Sequence, residues 1–184
     1  MFAITTRLLL RPGWIEDAPA LVEAIADQAI VTKLARAPWP YHLHDAEAFL
    51  AGERDPRYPD LLIFARTLGR PRLVGGIGLH RDAEGEAELG YWIARPYWGL
   101  GFATEAGEAV VRMAHESLKH PKIVAGHFID NPASGRVLHK LGFHPTGRTV
   151  ARRSAARDGI VPCLTFEHGM EDEVVVQMNP ALAA

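Results

Sequence analysis

Arg95-Pro-Tyr-Trp-Gly-Leu-Gly-Phe-Ala-Thr-Glu-Ala106 is the stretch that decides the fold. Before it, Glu86 to Ile93 is rich in aromatic and branched residues and reads as a strand. After it, Ala103, Ala106, Val110, Met113, Ala114 and Ser117 fall on one face of a helix. Strand, glycine loop and helix together make an anion site. Glycine lets backbone approach a ligand, and the free amides of a helix's first turn meet it with the positive end of the dipole. A phosphate-bearing ligand is the expected occupant.

Two familiar phosphate loops do not fit. A nucleotide-hydrolysing loop needs Gly-Lys-Ser/Thr after its four-residue spacer, and no such lysine follows these glycines. The dinucleotide fingerprint needs Gly or Ala three residues after Gly101, where Thr104 stands. What remains is the coenzyme A pattern, Gln/Arg-x-x-Gly-x-Gly/Ala. Gly90-Tyr-Trp-Ile followed by Tyr97-Trp-Gly-Leu-Gly-Phe-Ala-Thr-Glu-Ala106 resembles GNAT-superfamily N-acetyltransferases of the RimJ/RimL type. Asn131-Pro-Ala-Ser-Gly-Arg-Val-Leu-His-Lys-Leu-Gly-Phe143 is similar to a second block of that family. The resemblance runs from Thr6 to about His168. It departs from the signature at Pro96, where Gln or Arg belongs; Arg95 is one place earlier.

The resemblance implies an α/β GNAT fold: a mixed, mostly antiparallel twisted sheet of six to seven strands with about four helices around it. It implies acetyl-CoA as co-substrate and no metal. Coenzyme contacts are carried over to Trp92, Ile93, Arg95, Trp98, Gly99, Leu100, Gly101, Phe102, Ala103, Thr104, Asn131 and Ser134. Amides from Leu100 to Thr104 would hold the pyrophosphate. The acyl arm would bond to backbone at Tyr91 to Ile93, in a gap opposite Val124 to Ile129.

Bulk properties set the frame. A chain of 184 residues suits one domain, expected over 1–170, with 171–184 as a tail. Formal charge −2, without a Lys/Arg run, gives no footprint for nucleic acid. One cysteine, Cys163, excludes an internal disulfide and fits a reducing cytoplasm. No apolar run approaches the ~20 residues of a membrane span.

Further elements follow from pattern. Leu8 to Leu10 is a short strand, Trp14 to about Ala29 an amphipathic helix, and Asp45 to Glu53 a second helix. Leu61–Ala65 and Leu73–His80 are strands that meander into the central one. Ile123 to Ile129 is the next strand, the Asn131 block a short helix closed by Gly142, and 146–153 with 161–168 a hairpin. Val174-Val-Val176 is open between an edge strand, a homodimer contact and disorder.

Acetyl transfer needs a neutral amine and a partner for the departing thiolate. Strand alternation puts Glu88 on a face with Glu86, Gly90 and Trp92, and a poorly solvated carboxylate there is the candidate base. His80 is a second candidate. Many GNAT enzymes place a tyrosine acid seven residues after the block's Asn; here that position is Leu138, and the RimJ/RimL-like pattern offers Ser134. Asn131 before Pro132 is also a good helix cap. Trp39, Tyr41 and His42 are acceptor-pocket candidates from the variable segment, with a core role open for the aromatics. His42 and His44 lack a third ligand at zinc spacing. The expected acceptor is a protein N-terminal α-amine. A small amine (antibiotic, polyamine or amino acid) and a coenzyme-binding domain without turnover are the alternatives.

Overall fold

The computed structural model describes residues 1–67 and 69–169. Eight strands form one sheet in the order β1-β2-β3-β4-β5-β6-β8-β7. They are β1 (Ala3–Ile4), β2 (Leu8–Arg11), β3 (Asp60–Ala65), β4 (Arg72–Arg81), β5 (Ala87–Ile93), β6 (Lys122–Phe128), β7 (His144–Ser154) and β8 (Gly159–Gly169). The helices are α1 (Ala18–Ile25), α2 (Gln28–Val31), α3 (Leu43–Ala51), α4 (Phe102–Glu116) and α5 (Pro132–Lys140). Among the described residues this is one strand and one helix beyond the expected range. The extra strand is β1, a two-residue pairing with β2 too short for a periodic signal. The extra helix comes from the first helical segment, which breaks at Ala26-Asp27. There the Asp27 carboxylate accepts from Ala29 N–H at 2.8 Å and starts α2 afresh. The second helix begins earlier than its apolar pattern indicated, because His42 and Asp45 cap it at Leu43. Val174–Val176 and the expected 170/171 boundary lie outside the described residues.

Two apolar layers hold the sheet. On one face α4 lays Phe102, Ala106, Ala109, Val110 and Ala114 against Leu61, Ile63, Ile77, Leu79, Leu89 and Ile123, all buried. On the other, α1 to α3 pack Leu21, Ile25, Ile30 and Ala46 against Leu62 and Phe64. Strand alternation sends neighbours such as Leu61 and Leu62 to opposite layers. No described helix is long and apolar enough to cross a membrane.

The site is prepared at the centre of the sheet. β1 to β5 are antiparallel to their neighbours, and so are β6, β8 and β7. The two groups meet in the parallel pair β5–β6, which has three residue pairs: Ala87↔Ile123, Glu88↔Val124 and Leu89↔Ala125. Beyond Leu89 and Ala125 the strands part. The gap that the resemblance implied is therefore present, from Gly90 and Gly126 onward.

Candidate active site at the parted strands

The parting is at the carboxyl ends of two parallel strands, the end at which open α/β sheets take their ligands. β5 leads through a single 3-10 turn (Arg95–Tyr97) into the glycine loop and α4, and β6 leads into α5. Two helix N-termini thus open at the same end of the gap. Gly101 is the N-cap of α4 with φ 81°, and Gly99 has φ 78°, a region that costs other residues ~1–2 kcal/mol. The amides of Phe102, Ala103 and Thr104 have no partner within the helix, whose first bond is Glu105 N–H to Gly101 C=O.

Backbone direction follows from one hydrogen bond. Ala94 N–H donates to Val74 C=O, across to β4, at 2.8 Å. Peptide groups alternate along a strand, so Tyr91 and Ile93 turn theirs toward the gap. Ile93 C=O is already taken by the Trp98 indole N–H at 2.6 Å. Tyr91 N–H, Tyr91 C=O and Ile93 N–H pair with no strand among the described residues. Trp98 is therefore a fixed wall of the gap, half-exposed at 50%.

Arg95 is exposed and reaches Asp27 at 3.4 Å. Arg7 is tied to the loop itself. Its Nε donates to Glu105 at 2.7 Å, its Nη1 to Leu100 C=O at 2.9 Å, and its guanidinium covers the Phe102 ring at 4.8 Å. Glu105 also accepts from Thr5 Oγ1 at 2.6 Å and Arg7 N–H at 2.8 Å, and these bonds and the guanidinium hold its carboxyl below the usual range although burial opposes them. The sequence reading missed this clamp, whose one visible trace is a glutamate in the first turn of α4.

On the α1–α3 face, Gly76, Gly78 and Gly90 form a floor without side chains. The Trp92 indole lies over Gly76, where an added Cβ would meet Nε1 at 2.6 Å. Asp60 leans over Gly78, with Oδ1 2.5 Å from the Cβ position, and His80 borders Gly90 at 3.7 Å. Glu88, the register partner of His80, is 13% exposed and ion-paired to Arg152 of β7. It is thus shielded from water, as expected, but its Oε1 already has a cation. Arg152 was missed, being an arginine in an otherwise solvated strand. Cys163 is buried beside Gly126, and burial pushes its thiol up.

His80 is 3.6 Å from Asp60. Burial pushes the Asp60 carboxyl up to about 6 against the pull of Arg36 and Arg54, and burial, helped by Arg36, pushes His80 down to about 4. The consequences for stability oppose each other. A raised carboxyl makes stability fall as pH rises from about 4 to about 6. A depressed histidine makes it rise between about 4 and 6.5, where only the unfolded chain takes a proton. Asp60→Asn is expected to leave a melting temperature that climbs with pH across that window, and His80→Gln one that declines. Melting curves in steps of half a pH unit check both signs.

The other candidates are placed as follows. Tyr41 is 8% exposed in the α1–α3 layer, its phenol pushed up to about 12 by burial first and Asp45 second. Trp39 is 40% exposed. His42 is exposed at the N-cap of α3 and stacks on His44, and no metal-binding group of three occurs among the described residues. Asn131 is the N-cap of α5 with Pro132 next, yet its side chain makes no capping bond, contrary to expectation. Leu138 is buried in the core. The Tyr91 hydroxyl reaches Ser134, 2.8 Å from Oγ and 3.0 Å from the carbonyl oxygen.

Comparison with known proteins agrees with this geometry. Residues 7–144 match the acetyltransferase (GNAT) domain family. YoaA of Bacillus subtilis, described as an uncharacterized N-acetyltransferase, is 42% identical over 77 residues, 41% of this chain and 44% of YoaA. The N-acetyltransferase p20 of Bacillus licheniformis, also uncharacterized, is 33% identical over 152 residues, 78% of this chain and 82% of p20. The chain spans 44%, 52% and 60% of three of the curated relatives it matches. RimL, an alpha-N-protein acetyltransferase of ribosomal L7/L12 solved with coenzyme A, superposes with TM-score 0.77 at 16% identity over 92% of this chain and 98% of RimL. A sheet parted at β5 and β6, a glycine loop at the parting and a matching family over most of the chain have one meaning: this protein belongs to the GNAT acetyltransferase family.

Proposed function

We propose that the protein transfers the acetyl group of acetyl-CoA to a primary amine, with a protein N-terminal α-amine as acceptor. The observation that carries this reading is the parted β5–β6 pair, with two helix N-termini and unspent backbone groups at its open end. The coenzyme's phosphates would meet the amides of Leu100 to Thr104, and its acyl arm would bond to Tyr91 and Ile93 as an added strand.

The amine attacks the thioester carbonyl carbon, a C–N bond forms, and the C–S bond breaks with its electron pair on sulfur. The nitrogen's proton passes to Glu88, through water where the distance requires it, and the Ser134 hydroxyl donates to the thiolate. An α-amine of pKa about 7.7–8.0 is roughly a tenth to a sixth neutral at pH 7, whereas a lysine at about 10.4 is below ~0.1%. A carboxylate that already shares its charge with Arg152 suits the less demanding acceptor.

The test is thermal unfolding with and without acetyl-CoA, followed by thiol release with three amines: a peptide with N-terminal alanine, one with N-terminal serine, and spermidine. Acetyl-CoA at a hundred times its Kd is expected to stabilise the fold by about 2.7 kcal/mol, several degrees in Tm. No shift at millimolar acetyl-CoA would remove the coenzyme site. A shift without thiol release from any amine would leave a coenzyme-binding domain.

A further inference from the structure

We propose that Tyr91 is a positioning residue for the thiolate-stabilising hydroxyl: its phenol holds the Ser134 Oγ at the edge of the gap and donates to it when the serine proton turns to sulfur. The inference rests on the acetyl-transfer reading and concerns its leaving-group half.

Ser134 is in the first turn of α5, where a serine hydroxyl ordinarily turns back to a carbonyl three or four residues earlier. Ser134 does not. Its N–H reaches Asn131 C=O at 3.1 Å, while its Oγ is 2.8 Å from the Tyr91 hydroxyl, and no other bond of Oγ is present among the described residues. Tyr91 comes from the opposite side of the parting, one residue past Gly90, where β5 has left β6. The pair therefore bridges the two edges of the gap close to the backbone groups offered to the acyl arm.

The phenol is a donor at every working pH. Burial pushes it up to about 12, although its bond to Ser134 acts the other way. An acid that weak does not protonate a thiolate whose conjugate acid lies near ~8.5. Tyr91 is thus not the proton source, and what it supplies is direction. Its single proton has two acceptors, Ser134 C=O at 3.0 Å and Oγ at 2.8 Å. When sulfur acquires charge, the serine proton swings to sulfur and the phenolic proton swings from the carbonyl to Oγ. Two hydroxyl rotors turn and no backbone moves. As the C–S bond breaks the electron pair stays on sulfur, held by the Ser134 O–H, whose oxygen accepts from Tyr91. The excess proton on nitrogen leaves by the acceptor side.

The experiment is a double-mutant cycle of Tyr91→Phe and Ser134→Ala, using whichever of the three amines above the wild type acetylates fastest. Tyr91→Phe removes one oxygen and leaves the ring's packing. It is expected to keep the acetyl-CoA thermal shift and KM while lowering kcat about tenfold, the scale of one hydrogen bond to a developing charge. In the Ser134→Ala background it is expected to lower kcat no further, because it acts through that hydroxyl. Ser134→Thr, which keeps a hydroxyl, is expected to restore the dependence on Tyr91. Losses that multiply in the double variant, a fall in acetyl-CoA binding matching the loss of rate, or unchanged kcat in Tyr91→Phe would each overturn the inference while leaving acetyl transfer intact. A wild type that releases no thiol with any of the amines would overturn the functional reading itself, and this inference with it.

Discussion

Gly99→Glu is expected to give a folded protein with no response to acetyl-CoA. Gly99 is exposed with φ 78°, and an added Cβ would meet nothing within 4 Å. The structural cost is therefore the backbone alone, ~1–2 kcal/mol for a left-handed residue, a few degrees in a chain of this size. The functional cost is far larger. A carboxylate would stand beside amides of Phe102 to Thr104 that are held for an anion, and it would both occupy and repel. A loss of at least about a hundredfold in affinity is expected, the scale of removing charge-assisted bonds from several amides together. Calorimetric titration with acetyl-CoA reads it directly. A variant that still binds within tenfold of wild type would place the phosphates elsewhere. The loop is sensitive because it is held rigidly: Arg7 ties Leu100 C=O and Glu105 to the start of β2, so the amides are aimed before any ligand arrives.

Gly90→Val separates the two halves of the site. Gly90 is in ordinary extended backbone, its nearest neighbour to an added Cβ is His80 at 3.7 Å, and a branched residue suits a strand. The fold and the acetyl-CoA shift are expected to survive. The side chain would fill the floor between His80 and Glu88, where the proposed mechanism brings the attacking amine. Displacing it by even ~1 Å is expected to reduce kcat/KM on the order of a hundredfold. Gly78 is no substitute for this test, since a Cβ there strikes Asp60 and the Pro59 carbonyl and would disturb the sheet. Retained acetylation in Gly90→Val would show that the amine enters by another face.

What the sequence made legible is whatever repeats or is local. The expected strand Glu86–Ile93 is Ala87–Ile93; of the expected α4 face, Ala106, Val110 and Ala114 are buried, Ala103 and Met113 half-buried, and Ser117, past the helix end, exposed; and the C-terminal hairpin is longer than expected but in place. The break at Asp27 was missed because an aspartate in a helical pattern also reads as a solvent-facing residue. The site is harder for a physical reason. Its decisive side-chain pairs, Arg7–Glu105, Tyr91–Ser134 and Glu88–Arg152, join positions 98, 43 and 64 residues apart. No periodicity records such a meeting. Glycines were legible as a loop at Gly99 and Gly101 but not as a floor at Gly76, Gly78 and Gly90, since a floor exists only once strands are in register.

The three-pair seam between β5 and β6 also bears on how the molecule comes together. In the sheet, β1, β2, β3 and β4 each pair with the next strand in the chain, and β6, β7 and β8 form a compact group of their own. Within the groups, the pairings β3–β4, β4–β5 and β7–β8 are the local ones, which close quickly. The seam joins them across the length of α4, so the backbone ladder between the two groups is a narrow border. A ligand lying in the parting touches both and lengthens that border. On the proposed function the acetyl donor would be more than a reactant: while bound, it would extend the pairing that the polypeptide leaves partly divided.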